Sequence, residues 1–224
     1  MTTPDGVLTV IPARGGSKRI PRKNLSDFRG RPLVVHSIED ALGAESVTRV
    51  VVSTDDDEIA SVAQRAGAEV IVRPEELSGD TASSESALLH VLDELREREG
   101  YQPELVVFLQ CTSPCRDPED IDAAIELLMA EGADSLLSVC RFKRYVWRVE
   151  SGTAVPVNYD YRHRWREQEF PEQYMENGSI YVFRPTVLRE GDNRLGGRIA
   201  LYEMSRSKSL QIDEPGDFAQ ARSL

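Results

Sequence analysis

Gly15, Gly16 and Ser17 stand among Arg14, Lys18, Arg19, Arg22 and Lys23, directly after an uncharged apolar run. That combination of residue types can grip a polyphosphate. Glycines let a backbone turn so that its N–H groups converge on an anion, and five cations within ten residues neutralise phosphate charge. Val7 to Ile11, just before the loop, is β-branched and uncharged. It predicts a buried strand, so the loop opens at a strand's carboxyl end, where α/β sheets bind ligands. The chain as a whole carries a formal charge of −11, which argues against a general nucleic-acid binder or a protein drawn to anionic membranes. A basic cluster on such a background points to a small anion held locally. Neither the spacing of a P-loop nor a G-x-G-x-x-G dinucleotide fingerprint is present.

The elements that must position this loop alternate along the chain. Pro32 to Leu42 has amphipathic helical spacing, Arg49 to Thr54 is a strand, and Glu58 to Ala66 is a helix led by Asp55, Asp56 and Asp57. Glu69 to Val72 is a short strand, Ser83 to Arg98 a helix, and Leu105 to Leu109 a buried strand. Pro118 to Ala130 is a helix capped by Asp117, and Asp134 to Val139 a further strand. This alternation predicts an α/β fold: a three-layer α/β/α arrangement around a mainly parallel, Rossmann-like sheet. From Arg141 to Gln173 the chain turns basic and aromatic, with too few apolar runs for a core of its own. That segment reads as a lid or an interface. Ser179 to Phe183 and Ile199 to Met204 return to strand patterning, and Glu214 to Ala221 closes as a helix.

With 224 residues, 40% of them apolar, the chain is long enough for one large domain with a proper core. Cys111, Cys115 and Cys140 form neither a disulfide framework nor a zinc set, so reduced thiols are expected. There is no run of eighteen apolar residues, and Met1 to Gly6 has no charged or apolar leader features, which leads us to expect a soluble, cytoplasmic protein.

Over its whole length the basic loop resembles the signature of the sugar-activating cytidylyltransferases, the family that includes the acylneuraminate (sialic acid) cytidylyltransferases. On that resemblance Ala13, Arg14, Gly15, Ser17, Lys18, Lys23 and Asn24 correspond to the triphosphate loop, with Lys23 nearest the reacting phosphate. Ser53-Thr-Asp-Asp56 matches a second strand end. Arg73-Pro74, followed by Asp80-Thr-Ala-Ser-Ser84, matches the segment holding the cytosine nucleotide, which makes Arg73 and Ser84 base or ribose contacts. Gln110-Cys-Thr-Ser-Pro114 with Arg116 matches Gln-x-Thr-Ser-Pro-x-Arg, in which the glutamine meets the acceptor sugar. Asn177-Gly-Ser-Ile-Tyr181 matches a segment lining the sugar pocket, giving Asn177 and Tyr181 as acceptor contacts. The resemblance implies the fold of nucleotide-diphospho-sugar transferases over residues 1–224, with 141–175 as a dimerisation arm. It also implies a homodimer that uses CTP, an acidic sugar acceptor and Mg²⁺, without nucleic acid or membrane partners.

Nucleotidyl transfer asks for in-line positioning and charge neutralisation more than for covalent help. Arg14, Lys18 and Lys23 would stabilise phosphate charge. Asp55, Asp56 and Asp213 are the carboxylates at strand ends, Asp213 being both the candidate base and a hard ligand for Mg²⁺. Asp217 reads as a helix amino-terminal residue. Two positions depart from the family pattern. Gln211-Ile-Asp213 stands where Asp-x-Asp is usual, so Gln211 offers an amide oxygen in place of a charge. Glu167 stands where a second arginine would face the acidic sugar, leaving Arg166 or Arg164 to substitute. These departures keep three readings open: a nonulosonic acid acceptor (sialic, legionaminic or related), another acceptor such as a Kdo-like acid, a modified sugar or a phosphonate, or a nucleotide-sugar binding protein without turnover.

Overall fold

Leu8 and Val10 face one side of the first strand and Ile11 the other, and every central strand repeats this period of two. The consequence is a sheet buried on both faces, seen in a computed structural model that describes residues 6–79 and 82–222. Its elements run β1 (Val7–Pro12), β2 (Asp27–Phe28), β3 (Arg31–Pro32), α1 (Leu33–Gly43), β4 (Arg49–Thr54), α2 (Asp57–Arg65), β5 (Glu69–Val72) and α3 (Ser84–Glu99). Then follow β6 (Leu105–Leu109), α4 (Pro118–Glu131), β7 (Ser135–Arg141), β8 (Trp147–Glu150), β9 (Thr153–Pro156), β10 (Tyr174–Phe183), α5 (Pro185–Gly191), β11 (Ile199–Glu203) and α6 (Pro215–Arg222).

Seven strands form the main sheet in the order β11-β7-β10-β6-β1-β4-β5. α1, α2 and α4 pack on one face, through Ile38, Ile59 and Ile125 among others, and α3 and α5 on the opposite face, through Leu88, Leu92 and Leu188. The three-layer expectation therefore holds. Six strands run parallel, and β10 runs antiparallel to both β6 and β7. β10 also begins at Tyr174, five residues before the Ser179 expected from the alternation, and its register on β7 shifts between Glu176 and Tyr181. The Glu176-Asn177-Gly178 stretch lies before the strand expected at Ser179 to Phe183. Here it is a bulge inside a strand, and Gly178 takes φ +65° there.

Helix ends follow their side chains. Asp56 caps α2 by accepting from the Glu58 and Ile59 N–H groups, each at 3.0 Å, and Ser83 caps α3 through Ser86 N–H at 3.1 Å. Asp120 accepts from Asp117 N–H at 2.8 Å at the start of α4.

The aromatic segment after β7 builds a two-stranded hairpin of β8 and β9. It partly provides its own packing, contrary to the sequence reading. Tyr145 contacts Tyr159 and Phe170 with ring centroids 4.3 and 5.2 Å apart, and Trp165 contacts Phe170 at 5.5 Å. Trp147, Val149 and Tyr161 nevertheless stay exposed.

One buried guanidinium joins three of these parts. Arg116, in the loop between β6 and α4, donates from Nε to Ser179 Oγ of β10 at 3.1 Å. Its terminal nitrogens donate to Ser37 Oγ of α1 at 2.9 Å and to the Gln110 carbonyl at 2.7 Å. Asp40 of α1 lies 3.5 Å away, and burial pushes its carboxyl up to about 7 against the pull of Arg116. Removing one partner of a buried charged cluster typically costs about 3–5 kcal/mol. Arg116→Ala should therefore lower the free energy of unfolding in urea by that order, and Arg116→Lys should fall well short of wild type because an ammonium lacks the planar fork.

Candidate active site

A cleft of about 480 Å³ opens at the carboxyl ends of β1 and β6. Arg14, Ser17, Lys18, Lys23, Asn24, Ser84, Gln110 and Asp213 all line it, so most of the side chains singled out in the sequence converge on one space. Phe108, Cys111 and Thr112 line it too and were not singled out. Thr112 lies inside the Gln110–Pro114 motif, and Phe108 is the last residue of β6 but one, so proximity to a strand end was the available signal. Burial pushes the Cys111 thiol up to about 11, which keeps it a neutral wall.

The basic loop is held from below. Ala13 N–H donates to the Ser53 carbonyl at 2.9 Å, Gly15 N–H to Asp55 Oδ1 at 2.9 Å, and Asn24 Nδ2 to the Arg14 carbonyl at 3.0 Å. Ile20 packs with Phe28, Leu33 and Ile212, giving the loop a small apolar anchor of its own. A Cβ on Gly15 would lie 2.7 Å from Asp56 Oδ2, whereas one on Gly16 would meet nothing within 4 Å.

Two of the sequence expectations change here. Arg22, counted among the phosphate-facing cations, has a left-handed backbone (φ 57°) and pairs with Asp56 and Glu58, away from the cleft lining. Asp55 and Asp56 are correspondingly occupied with the loop and the α2 cap rather than facing the cleft. Partial burial opposes ionisation of Asp56, but the Ile59 N–H and the Arg22 guanidinium outweigh it and hold the carboxyl below the ordinary range. Asp217 caps the turn before α6 by accepting from Asp213 N–H at 2.8 Å and Glu214 N–H at 2.7 Å.

Asp213 is the carboxylate among the described residues lining the cleft. It accepts from Lys23 Nζ at 3.0 Å, and the same ammonium donates to the Ile212 carbonyl at 2.9 Å. A chain of contacts brings Asp213 there. Buried Asn177 donates to Ser209 Oγ at 3.0 Å, its carbonyl accepts from Gln211 Nε2 at 2.8 Å, and Ile212 N–H donates to the Thr112 carbonyl at 2.7 Å. Gly178 suits this crossing because its φ of +65° is one that L side chains rarely adopt, and a Cβ there would also displace the ends of Gln211 and Gln110.

Several expected residues stand outside the lining. Arg73 is buried and donates to Ser53 Oγ at 3.2 Å and the Ser53 carbonyl at 2.8 Å. Burial lowers its pKa, with Asp55 opposing and Arg14 adding. Tyr181 is buried beside Phe108, stacked at 5.3 Å, and bonded to Glu176. Burial first and Glu176 second push its phenol up to about 12. Arg166 sits exposed in the arm, paired with Glu169, and Arg164 lies over the Tyr145 ring at 4.4 Å. Asp80, Thr81 and the side chain of Glu167 lie outside the described residues.

Among the described residues no three His, Cys, Asp or Glu side chains gather as a metal cage. Mg²⁺ commonly takes only one or two carboxylates beside phosphate oxygens and waters. A half-exposed carboxylate beside a cationic loop fits such an ion, and Gln211, with Nε2 engaged by Asn177, has Oε1 left to offer.

Residues 8–224 match the cytidylyltransferase family. The chain belongs to that family. It is 36% identical over 221 residues to N-acylneuraminate cytidylyltransferase A of Danio rerio, covering 96% of this chain and 50% of that protein. Similarity to the pseudaminic acid cytidylyltransferase of Campylobacter jejuni is 31% over 221 residues, covering 97% of this chain and 95% of that one. The chain spans about half the length of the first curated relatives it matches, the fish acylneuraminate enzymes. A solved structure of CMP:2-keto-3-deoxy-manno-octonic acid synthetase complexed with CTP shares the fold, with a TM-score of 0.74 at 21% identity over 98% of both chains. In this family member the sheet carries the fold of that solved structure.

Gly15→Ala should destabilise this family member by about 1–3 kcal/mol through overpacking against Asp56, while Gly16→Ala stays within about 0.5 kcal/mol of wild type. Calorimetric unfolding of the two variants checks the contrast.

Proposed function

We propose that the chain transfers CMP from CTP to the anomeric hydroxyl of an acidic sugar, a nonulosonic acid such as a sialic, legionaminic or related acid, and releases pyrophosphate. The observation that carries this reading is the single cleft shared by the cationic loop after β1, the Ser84 end of α3, Gln110 after β6 and the Lys23–Asp213 pair. The names of the relatives, N-acylneuraminate and pseudaminic acid cytidylyltransferases, point to the same acceptor class.

The triphosphate lies along the side chains of Arg14, Ser17, Lys18 and Lys23, while the Ala13, Gly15 and Ser17 N–H groups hold the turn itself in shape. Lys23 has three donors and two are engaged by Ile212 and Asp213, which leaves one for the reacting phosphate. Ser84 and Arg73 serve the nucleoside end, and Asn24 braces the triphosphate loop through the Arg14 carbonyl. Gln110 holds the acceptor, with Asn177 and Tyr181 bracing that wall. The anomeric oxygen attacks the α-phosphorus in line, its bond forms as the bond to pyrophosphate breaks, and Asp213 takes the hydroxyl proton. When bound, Mg²⁺ neutralises triphosphate charge, and Asp213 with Gln211 Oε1 are the protein atoms that would hold it.

Pyrophosphate release, measured with each of the four NTPs against N-acetylneuraminate, pseudaminate, legionaminate and Kdo, tests the reading. Release should require CTP, an acidic sugar and a divalent cation, and EDTA should abolish it. Lys23→Ala should lower kcat by about 10²–10³-fold, as loss of one charge-stabilising donor does elsewhere. Equal turnover by Lys23→Ala, or equal release with all four nucleotides, would refute it.

We further place the chain in the cytoplasm as one domain, with 141–175 as an insertion through which two copies form a homodimer. The exposed Trp147, Val149 and Tyr161 support this reading, and Arg166, outside its own chain's cleft, would serve the acceptor end of the partner's. Light scattering should give twice the mass of one chain and Val149→Asp a monomer; a monomeric wild type would overturn the arm's assignment.

No helix among the described residues is long and apolar enough to cross a membrane.

A further inference from the structure

A second cavity of about 480 Å³ lies at the end of the sheet opposite the cleft, between the carboxyl half of α3, the segment 101–104 leading into β6, and the start of α5. Leu92, Tyr101 and Pro103 give it apolar walls, and the Arg49 guanidinium stacks on the Tyr101 ring at 4.7 Å. Three further arginines, Arg96, Arg184 and Arg189, line the same space. Asp93 pairs with both Arg189, at 2.9 Å, and Arg96, at 3.3 Å, so one carboxylate serves two cations. Glu104 lines the cavity as well. Three guanidinium groups then face two carboxylates, leaving one positive charge in a chain whose formal charge is −11. Among the described residues the Arg184 side chain has no hydrogen-bond or ion-pair partner, and guanidinium groups bind planar or tetrahedral oxyanions through their fixed fork.

We propose that this cavity is a second small-molecule site, taking an organic monoanion with an aromatic body whose anionic group is bound by Arg184. The volume falls in the range of small-ligand pockets, and the mixture of apolar walls with few convergent cations is the usual composition of such sites. None of the residues assigned to nucleotide transfer contributes to it. α3 connects the two ends of the molecule, with Ser84 in the cleft and Leu92 and Arg96 in this cavity.

The probe is 1-anilinonaphthalene-8-sulfonate, an aromatic sulfonate whose fluorescence rises in apolar surroundings, titrated into the full chain. One saturable site is expected. Arg184→Glu should weaken it about ten- to a hundredfold, the usual effect of losing a charge-assisted hydrogen bond, and Thr186→Trp, which fills the mouth from an exposed position of α5, should do the same. Lys23→Ala should bind the probe like wild type, which separates this cavity from the cleft whether or not the cleft binds CTP. Benzenesulfonate should displace the probe at concentrations where sulfate does not. Wild-type affinity in both Arg184→Glu and Thr186→Trp, loss of the site in Lys23→Ala, or equal displacement by sulfate would overturn the proposal.

Discussion

The Arg116 guanidinium is fully buried, and three separate parts of the chain answer to it: Ser37 and Asp40 on α1, the Gln110 carbonyl at the end of β6, and Ser179 on β10. A charge in that position is tolerable only if its donors are met, because desolvation is costly and water is absent. The requirement fixes the loop after β6 against both a helix and the antiparallel strand. Gln110 is held at the cleft by its own backbone through this contact. The wall proposed for the acceptor thus depends on a buried cation that never touches the cleft.

A parallel constraint acts on the other wall. Asp55 and Asp56 look in sequence like catalytic carboxylates, yet they hold the basic loop in place through Gly15 N–H and Arg22. The cations that remain in the cleft, Arg14, Lys18, Arg19 and Lys23, are gathered on a loop held by Asp55 and Asp56, which offset part of its charge. This is how a strongly acidic chain presents a local cationic cleft: Asp55 and Asp56 hold the loop, and among the described lining residues only Asp213 joins the cations. Asp213 in turn arrives by way of Asn177, Ser209 and Gln211, so the bulge in β10 positions a residue more than thirty positions later. Asn177 and Tyr181 are accordingly best understood as parts of a wall whose buried hydrogen bonds set the shape of the cleft.

Much of this was legible in the sequence. Strand and helix patterning placed the central elements to within a residue or two, because burial on both faces of a parallel sheet demands uninterrupted apolar runs, and the capping residues Asp56, Ser83 and Asp117 mark helix starts by local chemistry. The Arg14–Asn24 loop was legible for a similar reason: glycines and clustered cations have few other uses in an acidic chain. The direction of β10 was not, since pairing partners are chosen by contacts distant in sequence, and the bulge at Asn177-Gly178 interrupts the alternation that marks a strand.

What the sequence by itself determined is the set of elements, the basic loop and the family signature, each of which rests on neighbours within a few positions. Tertiary structure alone decided which charges face the cleft. Arg22 and Asp56 neutralise each other across 34 positions, Lys23 meets Asp213 across 190, and Arg184 is left without a partner beside Arg96 and Arg189. The physical reason is that a charge acts through distance in space and through the solvent it excludes, and neither is written in the order of residues.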